Sequence, residues 1–218
     1  MTLSDTSPER VRSYFSGRTD VTKRVFDVTI SLLLLPVALP IISILCLLVC
    51  RDGGPVFFQQ VRVGRDGRLF HCWKIRTMVV DAEERLREHL RENPDAAAEW
   101  VRDQKLLNDP RITTFGHFLR ASSLDELPQI LNVLRGEMSL VGPRPITKDE
   151  LVRYRDHEWA YRSVRPGITG LWQVSGRNEV SYEERVQMDV RYAQVRSLWV
   201  DVTIIVRTAG AVLGRTGR

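Results

Sequence analysis

The segment Ser122-Ser123-Leu124-Asp125-Glu126-Leu127-Pro128 holds the densest chemistry in the chain. Two adjacent carboxylates, a guanidinium at Arg120 and a helix start are the parts needed to hold a phosphoryl group and attack it. Pro128 lacks an N–H and belongs to the first turn of the helix that follows, which places Asp125 and Glu126 at that helix's N-terminus. Free amides and the helix dipole there attract phosphate. Aspartate attack on phosphorus gives an acyl phosphate. Bringing that carboxylate to a diphosphate calls for a cation such as Mg²⁺, which offsets the repulsion between like charges. The same residues also read as punctuation: Ser123 and Glu126 match the S-x-x-E capping box, where the acids serve only the helix. Spacing alone leaves both readings open.

Two loops offer further phosphate ligands. Gly142-Pro143-Arg144-Pro145 stiffens the chain on both sides of one guanidinium, which suits bidentate recognition. Arg165-Pro166-Gly167-Ile168-Thr169-Gly170 sets an arginine beside backbone amides in a glycine-permitted turn. Either is also an ordinary turn. His71, His89, His117 and His157 are scattered, and Cys46, Cys50 and Cys72 form no C-x-x-C or His/Cys ligand spacing, so zinc and structural disulfides are not expected.

The elements that must position these groups follow from composition. The 218 residues are 43% apolar and 27% charged, with a formal charge of +5, enough for one domain with a packed core. The apolar residues are unevenly spread: residues 28–50 carry no charge, and an arginine-rich body follows. The basic residues form no tract with interleaved aromatics, so phosphorylated ligands and an anionic membrane surface account for them better than nucleic acid does. The apolar run is long for a signal peptide and no small-residue cleavage site follows it. Its length permits a spanning helix. Pro36 and Pro40, however, predict a bend into two arms of about a dozen residues, each about 18 Å long. Lys23 and Arg24 before the run and Arg51 after it favour leaving both ends on one, cytoplasmic side.

Beyond the run, residues 56–63 and 69–76 read as a β-hairpin around Asp66-Gly67. Residues 81–107 read as two charged helices broken at Asn93-Pro94, and residues 116–120 as a helix end. Leu127, Ile130, Leu131 and Leu134 mark a buried helix face stopped at Gly136. Residues 148–164 are expected to be helical, residues 171–174 a strand, and residues 182–213 helical with a terminal part apolar enough to lie on a bilayer.

Taken together the motifs are recognisable. Lys23-Arg24-Val25-Phe26-Asp27, the proline-bearing segment, Gly54-Pro55-Val56-Phe57-Phe58-Gln59 and Trp73-Lys74-Ile75-Arg76-Thr77-Met78 open the match. Asp109-Pro110-Arg111-Ile112-Thr113, the block from Leu119 to Pro145, and the stretch from Val164 through Gly176-Arg177-Asn178 complete it. From about Thr22 to Gly214 the chain resembles the bacterial sugar transferase family, the monotopic polyprenyl-phosphate phosphoglycosyltransferases. The resemblance implies that Asp125 attacks the β-phosphorus of a UDP-sugar and releases UMP. The sugar-phosphate left on the enzyme then passes to a membrane polyprenyl phosphate, which starts glycan assembly. It implies Glu126 as the second member of a catalytic dyad, Mg²⁺ at Asp125, and phosphate contacts at Arg120 and Arg144, with Arg165 as a weaker substrate contact. It also implies a re-entrant helix bent at a proline, best matched by Pro40; Leu39 stands where the family often has serine, and Pro36 is additional. The chain resembles the minimal catalytic form, without the multi-span region of larger relatives.

The expected fold is therefore α+β and mostly helical, with a tail at 1–21, a re-entrant membrane helix at 22–51, and a catalytic domain at 52–218. A small β-hairpin and amphipathic interfacial helices surround a site on the cytosolic face of the bacterial cytoplasmic membrane, with both termini cytosolic. The expected partners are the UDP-sugar, the polyprenyl phosphate and membrane lipid, without nucleic acid; a homodimer is compatible with the motifs. The competing readings are an ordinary glycosyltransferase, which would release UDP, and a catalytically silent membrane-surface scaffold of polysaccharide assembly.

Overall fold

Asp66 and Gly67 adopt positive φ, 57° and 78°, and reverse the chain between strands β1 (Phe57–Val63) and β2 (Leu69–Ile75). The computed structural model describes residues 18–103, 106–175 and 180–213. It pairs these strands antiparallel from Phe57↔Ile75 to Val63↔Leu69, the hairpin that the Asp-Gly turn predicts. Alternation along β2 turns Phe70, Cys72 and Lys74 to one face; Phe70 and Cys72 are buried against the body, and Lys74 ends the row over the acid segment.

Before the hairpin runs one long helix, α1 (Arg18–Val49), about 48 Å at 1.5 Å per residue. By length and composition it could cross a membrane. It is not apolar and free all round. Asp27, Ser31, Ala38, Ile42, Leu45 and Val49, spaced by three, four or seven residues, are buried along one stripe. Leu32, Leu33, Val37, Leu39, Ile44 and Leu47 are exposed on the other side. The stripe is fastened from end to end. Lys23 Nζ lies 2.7 Å from Asp201 Oδ2, and Asp27 Oδ1 accepts from the Leu140 amide. Ala38 and Ile42 pack on Ile130, while Leu45 and Val49 pack on Ile75 and Leu119. Beyond the helix end the Arg76 guanidinium donates to Val49 O, Pro55 O and Asp52.

α1 is helical through both Pro36 and Pro40, so neither proline interrupts it. Each proline removes one i→i−4 donor, and the packing on Ile130, Ile75 and Leu119 spans the gap. Two expectations are corrected. Residues 148–164 form two short helices, α6 (Lys148–Leu151) and α7 (Glu158–Arg162), joined by a 3₁₀ stretch with Arg155 at φ 48°. Residues 172–174 are a 3₁₀ turn, not a strand; the strand is β4 (Gly167–Thr169), within the segment expected to be a turn. It pairs parallel with β3 (Ser139–Val141). Residues 182–213 are helical as expected, in two helices, α8 (Tyr182–Val195) and α9 (Leu198–Leu213). As expected, α2 (Ala82–Glu92) and α3 (Pro94–Asp103) divide at Asn93-Pro94.

The helix after the acid pair is α5 (Gln129–Arg135), stopped at Gly136 with φ 83°. Asn132 on α5 is fully buried and works as a substitute strand edge. Its Oδ1 accepts from the Trp73 amide at 3.1 Å, and its Nδ2 donates to His71 O at 2.8 Å. The helix is thereby locked to β2 in one register.

Behind the site Asp189 on α8 is buried among Tyr154, Val186 and Val190, and Tyr154 Oη donates to its Oδ2 at 2.6 Å. Burial pushes this carboxyl up to about 7, against the pull of the tyrosine hydroxyl. A carboxyl whose folded pKa is raised supplies stability below its unfolded value near 3.9, and that stability is lost as pH rises to about 7. Asp189→Asn keeps the acceptor for Tyr154 and removes the titration. Relative to its parent, the variant should gain on the order of 2 kcal/mol between pH 5 and pH 7. Thermal unfolding of both proteins across that range measures it; parallel curves would refute the assignment.

Candidate active site

Ser123 decides how the acid segment folds. It ends helix α4 (Thr114–Ser122) in the left-handed conformation, φ 57°, giving its amide to Arg120 O and Leu119 O. Its side chain caps nothing. Asp125 and Glu126 therefore stand in a 3₁₀ turn (Leu124–Glu126) ahead of α5, not in the first turn of an α-helix. The capping-box reading fails here because Ser123 is left-handed and its side chain caps nothing; the Glu126 carboxylate is instead taken by Lys74, with Nζ 2.6 Å from Oε1. The same S/T-x-x-E signature does form capping boxes at Thr147/Glu150, where Arg62 also pairs with Glu150 at 3.0 Å, and at Ser181/Glu184; both capping residues are extended, where Ser123 is left-handed.

Asp125 is 6% exposed, and no side-chain donor hydrogen-bonds its carboxylate among the described residues. Lys74 Nζ stands 3.9 Å from its Oδ2. Burial raises the Asp125 pKa and the Glu126 charge adds to that, while Lys74 and Arg120 pull it down. For Glu126 burial also pushes upward, but Lys74, Arg144 and Arg62 outweigh it and hold the carboxyl below its ordinary value. Two neighbouring carboxyls are thus driven apart: Glu126 is fixed as an anion in an ion pair, and Asp125 is poorly solvated and uncommitted.

Arg120 extends from the last turn of α4, and its Nε donates to Thr77 Oγ1 at 2.9 Å. Gly116 allows α4 to lie this close, since a Cβ there would sit 2.0 Å from Thr77 O. Arg144 is exposed on the loop after β3 and lines the same cleft as Glu126 and Lys74. That loop is set by the β3–β4 crossing: a Cβ on Gly142 would meet Arg165 O at 2.3 Å, so only glycine permits the approach. Arg165 is not brought to the cleft. Its Nε donates to Gly136 O, and Arg24 donates to Val133 O and Leu134 O, so both arginines finish the C-terminus of α5. Gly176-Arg177-Asn178 lies outside the described residues.

The cleft also contains Lys74, Gln129, Arg62 and Gln173, which the sequence did not single out as site residues. The signal for Lys74 was available, as a lysine two residues after a buried Cys72 on one strand face. Gln129 gave none, since one amide after a proline has no pattern. Burial pushes the Cys72 thiol up to about 11, so it packs rather than reacts.

Among the described residues no group of three or more histidine, cysteine or acidic side chains could cage a metal ion. Asp125, a carboxylate without a side-chain hydrogen bond, has the chemistry to serve as one oxygen ligand of a hard cation such as Mg²⁺.

A long apolar helix is thus fastened to an α+β body that carries an acid turn and a cleft lined by Arg62, Lys74 and Arg144. The family model for bacterial sugar transferases matches residues 18–215. The chain belongs to the bacterial sugar transferase family. It is 53% identical over 195 residues to an undecaprenyl-phosphate galactose phosphotransferase of Salmonella typhimurium, covering 89% of this chain and 41% of that protein. It is 49% identical over 193 residues to the exopolysaccharide production protein ExoY of Rhizobium meliloti, covering 88% and 85%. A UDP-glucose:undecaprenyl-phosphate glucose-1-phosphate transferase of Caulobacter vibrioides is 40% identical over 204 residues, covering 89% and 70%. The chain spans about two-fifths of the length of the first of these relatives.

Proposed function

We propose that this protein transfers a sugar-1-phosphate from a UDP-sugar to a membrane polyprenyl phosphate. The observation that carries the reading is Asp125, a poorly solvated carboxylate with no side-chain hydrogen bond, beside the ion pair of Lys74 and Glu126. Asp125 attacks the β-phosphorus; the bond from phosphorus to the bridging oxygen breaks, and UMP leaves with both electrons. A polyprenyl phosphate oxygen then attacks the aspartyl sugar-phosphate, the acyl phosphate bond breaks, and the carboxylate is restored. Arg120 and Arg144 bind the phosphate oxygens, and Lys74 holds Glu126 ionised beside them. Asp125 would be the residue to hold Mg²⁺, and the ion would supply charge neutralisation for the donor's phosphates. Arg165 takes no part. The relatives named for galactose and glucose make UDP-galactose and UDP-glucose the first donors to test.

The acceptor places the site at a membrane. The stripe from Asp27 to Val49 covers about 33 Å of helix, as long as a hydrocarbon core is thick. A helix fastened to a polar body over that whole length cannot carry one end through the bilayer while the body stays behind. We therefore read α1 as entering and leaving on the cytoplasmic face, its exposed leucines in lipid. The exposed Leu198, Trp199, Val202 and Val206 of α9 rest at the interface. Cysteines placed at Asp20 and Asp52 in a variant lacking Cys46, Cys50 and Cys72 should both resist an impermeant maleimide on intact cells. Labelling of only one of them would show a crossing helix.

Incubation with Mg²⁺ and either donor, without lipid, should release UMP and add a sugar-phosphate mass to the protein at Asp125. Release of UDP would mark an ordinary glycosyltransferase and overturn the mechanism. No release from any UDP-sugar, with polyprenyl phosphate present, would favour the scaffold.

A further inference from the structure

Gln129 is the first residue of α5, three residues after Glu126 and therefore on the same side of the turn. It is 2% exposed, yet its side-chain amide has no hydrogen-bond partner among the described residues. It lines the cleft with Lys74, Glu126 and Arg144. Asn132, one turn further along the same helix, shows the usual state of a buried amide, with both its oxygen and its nitrogen engaged. A buried amide that faces a cleft with no partner in the protein calls for water or a ligand to complete it.

The chemistry of the cleft says which ligand group fits. Its cations, Lys74, Arg144 and Arg62, suit phosphate oxygens, which only accept. An amide both donates and accepts, the complement of a hydroxyl, which does the same. In an in-line displacement at the β-phosphorus the leaving nucleotide stands opposite Asp125. The glycosyl oxygen remains equatorial, beside the groups that flank the attacking carboxylate. We infer that Gln129 is a specificity-determining residue that hydrogen-bonds one ring hydroxyl of the transferred sugar. This rests on the reading of Asp125 as the nucleophile toward a UDP-sugar.

The test measures kcat/KM for UMP release with UDP-galactose, UDP-glucose, and the 2-, 3-, 4- and 6-deoxy derivatives of the better donor. The parent protein should reject one deoxy derivative by at least about 10²-fold, because a site built to bond a hydroxyl is left with an unpaired buried group. Gln129→Met, close in shape and apolar, should lose about that factor on the parent donor and little on that derivative, so their ratio collapses towards one. Gln129→Glu keeps the shape and the acceptor without the donors, and serves where the methionine variant does not fold. Equal losses on every donor, or a parent indifferent to all four deletions, would overturn the inference while leaving UMP release intact. If the parent releases no UMP from any donor, the underlying reading fails and the inference falls with it.

Discussion

Asp125→Asn is expected to lower UMP release by at least about 10³-fold, the scale lost when a covalent nucleophile is removed. The swap is nearly isosteric, and the parent carboxylate makes no side-chain hydrogen bond that the amide would break. Burial already disfavours its charge, so neutralising it should leave the melting temperature equal or higher. The two measurements together separate chemistry from folding. Intact-protein mass spectrometry after quenching should find the sugar-phosphate adduct on the parent and none on the variant. A variant that still forms the adduct, or turns over as its parent does, would refute the assignment. The parent's pH profile carries a further mark. Attack requires the ionised form, so the acid limb of kcat/KM should lie above the range of an ordinary aspartate, in the direction burial shifts this one.

Lys74→Met should be nearly as damaging, though the residue forms no bond to phosphorus in the proposed reaction. Its ammonium pairs with Glu126 and pulls down both carboxyl pKa values. Without it two acids face each other in a poorly solvated turn, and the pair holds a proton to higher pH. The expected result is a loss of about 10²–10³-fold in kcat/KM at neutral pH, the usual cost of removing one preorganised charge from a site. The acid limb should also shift upward relative to the parent, and activity should partly recover in alkaline buffer. Lys74→Arg, which keeps the charge, should restore the limb's position more fully than the rate. An unchanged pH profile in Lys74→Met would mean that the lysine acts on the substrate alone.

The hairpin, the split at Asn93-Pro94 and the stop at Gly136 were legible because each is set by residues whose backbone preferences are local. The strand pair β3–β4 was not, since three-residue strands joined across a long connection leave no periodicity to read. The segment 171–174 misled for the same reason: its apolar run belongs to a 3₁₀ turn packed on the core. At the site, Asp125, Glu126, Arg120 and Arg144 were singled out through motif and resemblance; Glu126 and Arg144 line one cleft, Asp125 adjoins Glu126 in the turn, and Arg120 is anchored on Thr77. Arg165 looked equivalent to Arg144 because both stand beside proline and glycine. Only the fold shows that one reaches the cleft and the other ends a helix. The fate of Glu126 likewise lies with a residue 52 positions earlier, since no local rule can say that Lys74 will claim it. In α1 the buried stripe was hidden by its own surroundings, as leucine and isoleucine occupy both sides.

That two-sidedness bears on how a water-soluble version could be made. Deleting the first fifty residues would not free a self-sufficient enzyme core. It would uncover Ile75, Leu119 and Ile130 and discard the Asp27 and Lys23 contacts, leaving a fragment prone to aggregate. The productive edit is to repaint the outward leucines with glutamate and lysine, Leu33, Val37, Ile44 and Leu47 first, and to leave the inward stripe untouched. The helix would then serve as a permanent splint for the core, and detergent would no longer be needed to study the first half-reaction.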